Sequence, residues 1–358
     1  MKRPYLVNFI AIAAYDQISV RMAVSDSGNI EQKAPSLKTP DPTSPMDSIG
    51  LFSSDQYRIE IIGLDNDLNE VYAKEFDSDS FGNFDLRFKR YRDDREITKL
   101  QIYETSYRKG LALHLGTYLV ATIEKSPKVL ISDFDKTLVD TKYSTPKEMY
   151  YSLNRPMSYF PTVAKSVDLV KRFIDDEHYP FILSASPHFY ERVLRDWLYQ
   201  NQIYAGHIFL KDYRKIFSLS EGILSTKDIN RQGFYKLNQL VTILLMTSTP
   251  KELVLIGDSF ESDELIYLTL ASILIGRMDP WRVWQGIKNE KSFSFTVKQD
   301  FQFLSKFYHL GELAKKYPID KLSIFIRCRD DNYHFAQERM HKYEELNKYK
   351  KYIEYYIA

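Results

Sequence analysis

The apolar pattern of this 358-residue chain changes once, near residue 127, and that change restricts the folds open to it. Beyond it, apolar runs of strand length (129–132, 181–184, 207–210, 253–256 and 322–326) alternate with helical stretches. Those stretches are 163–175, 190–200, 235–246 and a short one at 312–316. Such alternation predicts an α/β domain, a doubly wound parallel sheet with helices on its faces. Before it, strand-like runs at 57–62, 71–76, 84–88, 97–103 and 111–123 are separated by turn sequences such as Asp65-Asn66-Asp67 and Ser80-Phe81-Gly82-Asn83. These predict an all-β region, an antiparallel β-sandwich-like domain.

The length suits two domains. The expected division is a sandwich over 1–126, a catalytic domain over 127–330 with a helical insert at 265–309, and a charged, Tyr-rich C-terminal helix over 331–358. Residues 25–48, with Pro35, Pro40, Pro42 and Pro45, lack apolar content and are expected to form a flexible loop. The basic start with Ala11-Ile12-Ala13 faintly resembles a signal peptide. Asn8 interrupts it, however, and apolar alternation continues to Val24, so a first strand is expected instead.

A net charge of +1 provides no global field to attract nucleic acid. Cys328 is the only cysteine, which excludes an intrachain disulfide and a cysteine zinc cage and favours a reducing cytoplasm. No apolar run reaches the roughly 18 residues of a membrane span.

The run V-L-I-S-D-F-D-K-T (129–137) ends an apolar strand with two carboxylates two residues apart. Just past a strand such residues point the same way, at the sheet edge where ligands bind in doubly wound folds. Three further pieces follow in order: Ser184 in F-I-L-S-A-S-P, Lys236 at a helix start, and V-L-I-G-D-S-F-E-S-D with Asp258 and Asp263. Together they suit phosphoryl transfer. Asp133 is the candidate nucleophile, and Asp135 the acid that protonates the leaving alkoxide and then the base that activates water. Lys236 and Ser184 are expected to hold phosphate oxygens. Thr137, Ser184, Ala185 and Lys211 are the expected substrate-binding residues, and Lys227 competes with Lys236 for the lysine role. Asp133, Asp135 (with a backbone carbonyl), Asp258 and Asp263 form the candidate metal set, whose hard oxygens suit Mg²⁺.

Taken together, D-F-D-K-T, Ser184, Lys236 and G-D-S-F-E-S-D resemble the four motifs of the haloacid-dehalogenase (HAD) superfamily. An aspartate two residues after the nucleophile resembles its phosphatases. The longer runs I-S-D-F-D-K-T-L-V-D-T, L-S-A-S-P-H-F-Y with L-K-D-Y, and G-D-S-F-E-S-D-E-L-I-Y are similar to the phosphatidate phosphatase catalytic domain of the actin-patch-protein type, related to the lipins. D-S-D-S-F-G-N-F (77–84) resembles the hairpin of that family's N-terminal region, and 312–327 its last helix and strand.

The resemblance implies a HAD-like fold and Mg²⁺-dependent conversion of phosphatidate to diacylglycerol through an aspartyl-phosphate. It also implies peripheral membrane contact by a cytoplasmic protein. The alternatives are a phosphatase of a soluble phosphomonoester and a non-catalytic lipid- or protein-binding scaffold. Residues 265–309, with Arg277, Trp281, Arg282 and Trp284, depart from the family pattern. They are expected to add a helical layer, with a lid or interfacial contact as the other reading. Lys211, Arg214 and Lys215 are the basic residues expected near the site.

Overall fold

The computed structural model describes residues 4–26, 56–108, 110–123, 127–141, 157–187, 190–204, 206–212, 232–329 and 342–358. The expected loop at 25–48 falls outside them apart from Ser25 and Asp26, which end a strand. Arg214, Lys215 and Lys227 also fall outside.

The N-terminal part is all β. β1 (Pro4–Ala14) and β2 (Gln17–Asp26) form a hairpin, so the alternating stretch read as a first strand is two strands. The chain reverses at Tyr15, whose φ of 54° is left-handed. There follow β3 (Arg58–Leu64), β4 (Glu70–Asp77), β5 (Asn83–Lys89), the short pair β6 (Tyr91–Arg92) and β7 (Arg95–Glu96), β8 (Lys99–Arg108), β9 (Leu111–Leu119) and β10 (Ala121–Ile123). Two four-stranded sheets, β10-β1-β2-β5 and β4-β3-β8-β9, enclose a core of Ile18, Val20, Ile59, Ile61, Leu100 and Ile102. In the turn that carries the chain from β4 in one sheet to β5 in the other, Asp79 Oδ1 accepts the backbone N–H groups of Phe81 and Asn83. Gly82 is left-handed there, and a Cβ would lie 2.3 Å from the Val24 carbonyl oxygen.

Next come β11 (Lys128–Asp133), α1 (Ala164–Asp175), β12 (Tyr179–Pro187), α2 (Glu191–Gln200), β13 (His207–Lys211), α3 (Gly233–Thr247), β14 (Glu252–Asp258) and α4 (Asp263–Leu274). The chain continues with α5 (Pro280–Ile287), α6 (Val297–Lys316), β15 (Lys321–Cys328), α7 (Glu344–Asn347) and β16 (Ile353–Ile357). The six strands are all parallel, in the order β13-β12-β11-β14-β15-β16. Strand order reverses direction at β11, so a crevice opens at its carboxyl end. β11 and β14 are continuously apolar because both sheet faces are covered.

Three features differ from the sequence reading. First, the expected C-terminal helix is, over 342–358, one short helix, a 3₁₀ turn and the edge strand β16, which pairs in parallel with β15. Tyr356 reaches Ser166 of α1, and Tyr355 donates to Glu264 of α4. The alternating I-E-Y-Y-I is β-prone, and sheet pairing outweighs the helical composition around it. Second, the short helix expected at 312–316 is the end of the 20-residue α6. Its start carries a capping box in which Thr296 and Gln299 bond each other's backbone N–H. Third, β1 is shared between two cores. Ile10 and Ile12 join the core around α3, while Ala11 and Ala13 join the sandwich core. Arg21 donates to Gln239 of α3 at 2.7 Å, Asn8 N–H to Glu191 at 3.1 Å, and Asn83 to Asp212 at 3.1 Å.

The 265–309 stretch builds α4, α5 and most of α6. Asp279 caps α5 ahead of Pro280 at its first turn. Trp284 is fully buried among Phe234, Phe293, Phe295 and Phe303, which gives this stretch a structural role; Trp281 is exposed. No helix among the described residues is long and apolar enough to cross a membrane.

Candidate active site

The carboxyl ends of β11 and β14 and the first turns of α3 and α4 converge on one buried group of charges. Asp133 ends β11, Asp258 ends β14, Asp263 opens α4, and Lys236 is the one charged residue of the mostly apolar, largely buried α3. A helix apolar on all sides is a buried helix, and α3 carries its lysine inward with it. The Lys236 ammonium lies 3.1 Å from Asp133 Oδ1, 2.9 Å from Glu261 Oε2 and 2.8 Å from Asp263 Oδ1. The contacts to Asp133 and Glu261 are ion pairs by distance without hydrogen-bond alignment, whereas Asp263 accepts a hydrogen bond.

The carboxylates differ in how they are held. Asp263 Oδ2 accepts the Asp258 backbone N–H at 3.1 Å, so this side chain links the lysine to the β14 end. Gly257 makes room for it, since a Cβ there would lie 2.6 Å from Asp263 Oδ2 and 2.8 Å from Tyr267. Asp258 Oδ1 accepts the N–H groups of Phe260 (2.6 Å) and Glu261 (2.9 Å), leaving Oδ2 buried with no hydrogen-bond partner. Asp133 Oδ2 accepts the Thr137 hydroxyl at 3.2 Å.

The Asp135 carboxylate stands apart from this cluster. Its Oδ2 accepts the Ser184 hydroxyl at 2.7 Å, and the Ser184 oxygen in turn accepts the Ser186 N–H at 3.0 Å. Tyr235 donates to the Ser184 carbonyl at 3.2 Å. Ala185 follows Ser184 and is buried. Lys211, also buried, ends β13 two strands from Asp133, its ammonium 5.7 Å from the Tyr235 ring centre.

Glu261, Lys136 and Ser186 were not singled out from the sequence. Lys136 donates to Glu261 Oε1 at 3.2 Å, and Ser186 lies beside Asp135. Glu261 sits inside the motif G-D-S-F-E-S-D, and only its convergence with two lysines distinguishes it from a solvated turn residue.

Electrostatics follow from burial. Burial drives the Asp133 carboxyl well above its ordinary range, with Lys236 opposing and Asp263, Asp258 and Glu261 reinforcing the rise. Burial, Asp263 and Glu261 push Asp258 up to about 7. Burial also raises Asp263, against Lys236. For Glu261 the pull of Lys236 and Lys136 exceeds the burial penalty and leaves it at about 2. Burial disfavours charge on Lys236, but Asp133, Asp263 and Glu261 outweigh it and keep the ammonium charged.

Four carboxylates (Asp133, Asp258, Glu261 and Asp263) thus face two lysines. Oxygens of Asp133, Asp258 and Asp263 lie within 4.8 Å of one another. With the orphaned Asp258 Oδ2, this donor set fits a hard divalent cation. The Asp135 carboxylate is outside that three-residue group.

No curated protein matches the sequence. Among solved structures, a calcium-binding mutant of Bacteroides uniformis beta-glucuronidase 2 is similar at 10% identity over 98% of this chain and 45% of that one, with a TM-score of 0.23. A putative beta-galactosidase from Bacteroides fragilis is similar at 8% identity over 98% and 46%, with a TM-score of 0.27. The chain spans about half the length of these proteins, and at such scores the likeness carries no argument about chemistry. Residues 128–278, which hold Asp133, Asp135, Ser184, Lys236, Asp258 and Asp263, match the family model of the phosphatidate phosphatase APP1 catalytic domain, a phosphoric monoester hydrolase.

Proposed function

We propose that the chain is a Mg²⁺-dependent phosphomonoesterase that converts phosphatidate to diacylglycerol through an aspartyl-phosphate on Asp133. The reading takes the parallel sheet and its site as HAD-like. The observation that carries it is the pairing of a buried carboxylate against Lys236 with a second carboxylate, Asp135, held two residues away by Ser184.

In the first step an Asp133 oxygen bonds to phosphorus as the ester oxygen leaves, and Asp135 gives that oxygen a proton. In the second, Asp135 takes a proton from water, whose oxygen attacks phosphorus and returns Asp133 as a carboxylate with release of phosphate. Ser184 orients Asp135 through both steps. Lys236 offsets charge on Asp133 and on the transferred phosphoryl oxygens. Asp133 and Asp258 would hold the cation, with Asp263 fixing Asp258; when bound, it neutralises charge on the phosphate and on the acidic cluster.

The family match supports a lipid phosphomonoester; in this reading a cytoplasmic protein reaches it by peripheral contact with the bilayer. Phosphate release from phosphatidate-containing vesicles, compared with soluble phosphomonoesters, tests it. Mg²⁺-dependent release from vesicles, abolished in Asp133→Asn, is expected. Full activity in Asp133→Asn would remove the nucleophile, and turnover of soluble esters alone would remove the lipid.

A further inference from the structure

We infer that Arg327 is a positioning residue for the nucleophile loop, holding the peptide between the nucleophile pair and Thr137 in the shape the reaction needs. The inference rests on the phosphomonoesterase reading above. Arg327 lies on β15, one strand beyond β14, with only 4% of its surface exposed.

Its guanidinium serves three acceptors on two chain segments. Nη1 donates to the Lys136 carbonyl and lies 3.3 Å from Asp140 Oδ1, and Nε donates to the Ala358 carbonyl at 3.0 Å. Its own carbonyl accepts the Ser259 N–H at 2.9 Å. One residue therefore ties the loop after β11 to the loop after β14.

Lys136 is where such a tie matters. Its φ of 60° is left-handed, a backbone conformation that L-residues other than glycine rarely adopt. This reversal turns the chain so that Thr137 comes back to Asp133 while Asp135 faces Ser184. The Lys136 side chain is anchored to Glu261 and its carbonyl to Arg327, so the strained peptide is held from both sides. A planar guanidinium can serve several acceptors in fixed directions; an ammonium cannot reproduce that fork. Arg329 also pairs with Asp140, but its other described contact is the Phe260 ring, 4.7 Å away.

Loss of the fork should let the Lys136 peptide relax and move Asp135 away from the leaving oxygen. A shift of about 1 Å in reacting groups can cost about a hundredfold in rate. The test measures kcat and KM per folded molecule on short-chain phosphatidate and on p-nitrophenyl phosphate with Mg²⁺, using the full chain. Expected for Arg327→Met is a kcat about 10- to 100-fold lower with KM within about twofold. Arg327→Lys should recover part of that loss, and Arg329→Met should stay within about twofold of the unmodified chain.

An Arg327→Met protein with unaltered kcat per folded molecule, or one that loses kcat no more than Arg329→Met, overturns the inference. If Arg327→Met fails to fold, Arg327→Lys decides: several-fold lower kcat at unchanged KM supports the inference, and unaltered kcat overturns it. An unmodified chain inactive on both substrates would instead overturn the phosphomonoesterase reading, and the role of Arg327 with it.

Discussion

The two ends of the parallel sheet each gather carboxylates around a lysine, and only one of them is built like a reaction centre. At the carboxyl end, Asp133, Asp258, Glu261 and Asp263 surround Lys236, whose side chain is 3% exposed. At the amino end, Asp176, His178 and Glu252 form the other acidic cluster among the described residues. There Lys128 lies 3.3 Å from Asp176 and 4.0 Å from Glu252, and Lys321 lies 3.5 Å from Glu252. Asp176 is more than half exposed, and two carboxylates face two lysines with a buried histidine whose pKa burial lowers.

The charges at the amino end balance and reach water; at the carboxyl end they do neither. A group of acids is therefore not in itself a site. Uncompensated charge kept from solvent has a cost that a fold retains only with a counter-ion or a ligand to offset it.

The sharpest test of that contrast is at Asp133, the nucleophile of the proposed reaction. Asp133→Asn should lower phosphate release by at least about a thousandfold, whereas Asp176→Asn should leave it within about twofold, both read by initial rates. The two lysines should then diverge in stability. Lys236→Met leaves buried carboxylates unpaired and should cost about 3–5 kcal/mol in chemical denaturation. Lys128→Met, in a solvated pair, should cost about 1 kcal/mol or less. Equal losses would break the comparison. A smaller effect is expected of Gly257→Ala, which presses a methyl group on Asp263 and Tyr267 and should cost about 1–3 kcal/mol.

The pH dependence has opposite signs within the site. The folded-state pKa of Asp258, about 7, lies above the ordinary carboxylate value. Its contribution is therefore fully present at acid pH and is lost as pH rises through about 7. Glu261, held at about 2, contributes above its ordinary value and loses that contribution only as pH falls toward 2. Without divalent cation, the melting temperature should fall between about pH 4 and 7; added Mg²⁺ should reverse the fall, and Asp258→Asn should reduce it. A melting temperature that rises over this range without cation would contradict the burial assigned to Asp258.

Asp133, Asp135, Ser184, Lys236, Asp258 and Asp263 were legible because local apolar period marks where runs stop: Asp133 and Asp258 end strands, Asp135 follows one, Lys236 and Asp263 lie in first helical turns, and Ser184 closes the apolar run of β12. Glu261 and Lys136 were not, because their importance lies in meeting Lys236 and each other from separate loops. β16 was misread because aromatic and charged residues suit either period when no neighbour is known. The register against β15 is what makes 353–357 a strand. The start of α6 had a readable sign in T-V-K-Q, the capping box, hidden among the polar residues of the insert.

Legible in the sequence alone were the two architectures, the order of the parallel strands as far as β15, and the residues that arrive at their carboxyl edge. These are local properties, set by side-chain period and by where apolar runs stop. Contacts between distant segments made β1 serve two cores, paired Asp135 with Ser184 while the Asp133, Asp258 and Asp263 carboxylates cluster, and brought Arg327 from another strand to the loop after β11. Those outcomes depend on distance and burial between segments far apart in the chain, which no local pattern encodes.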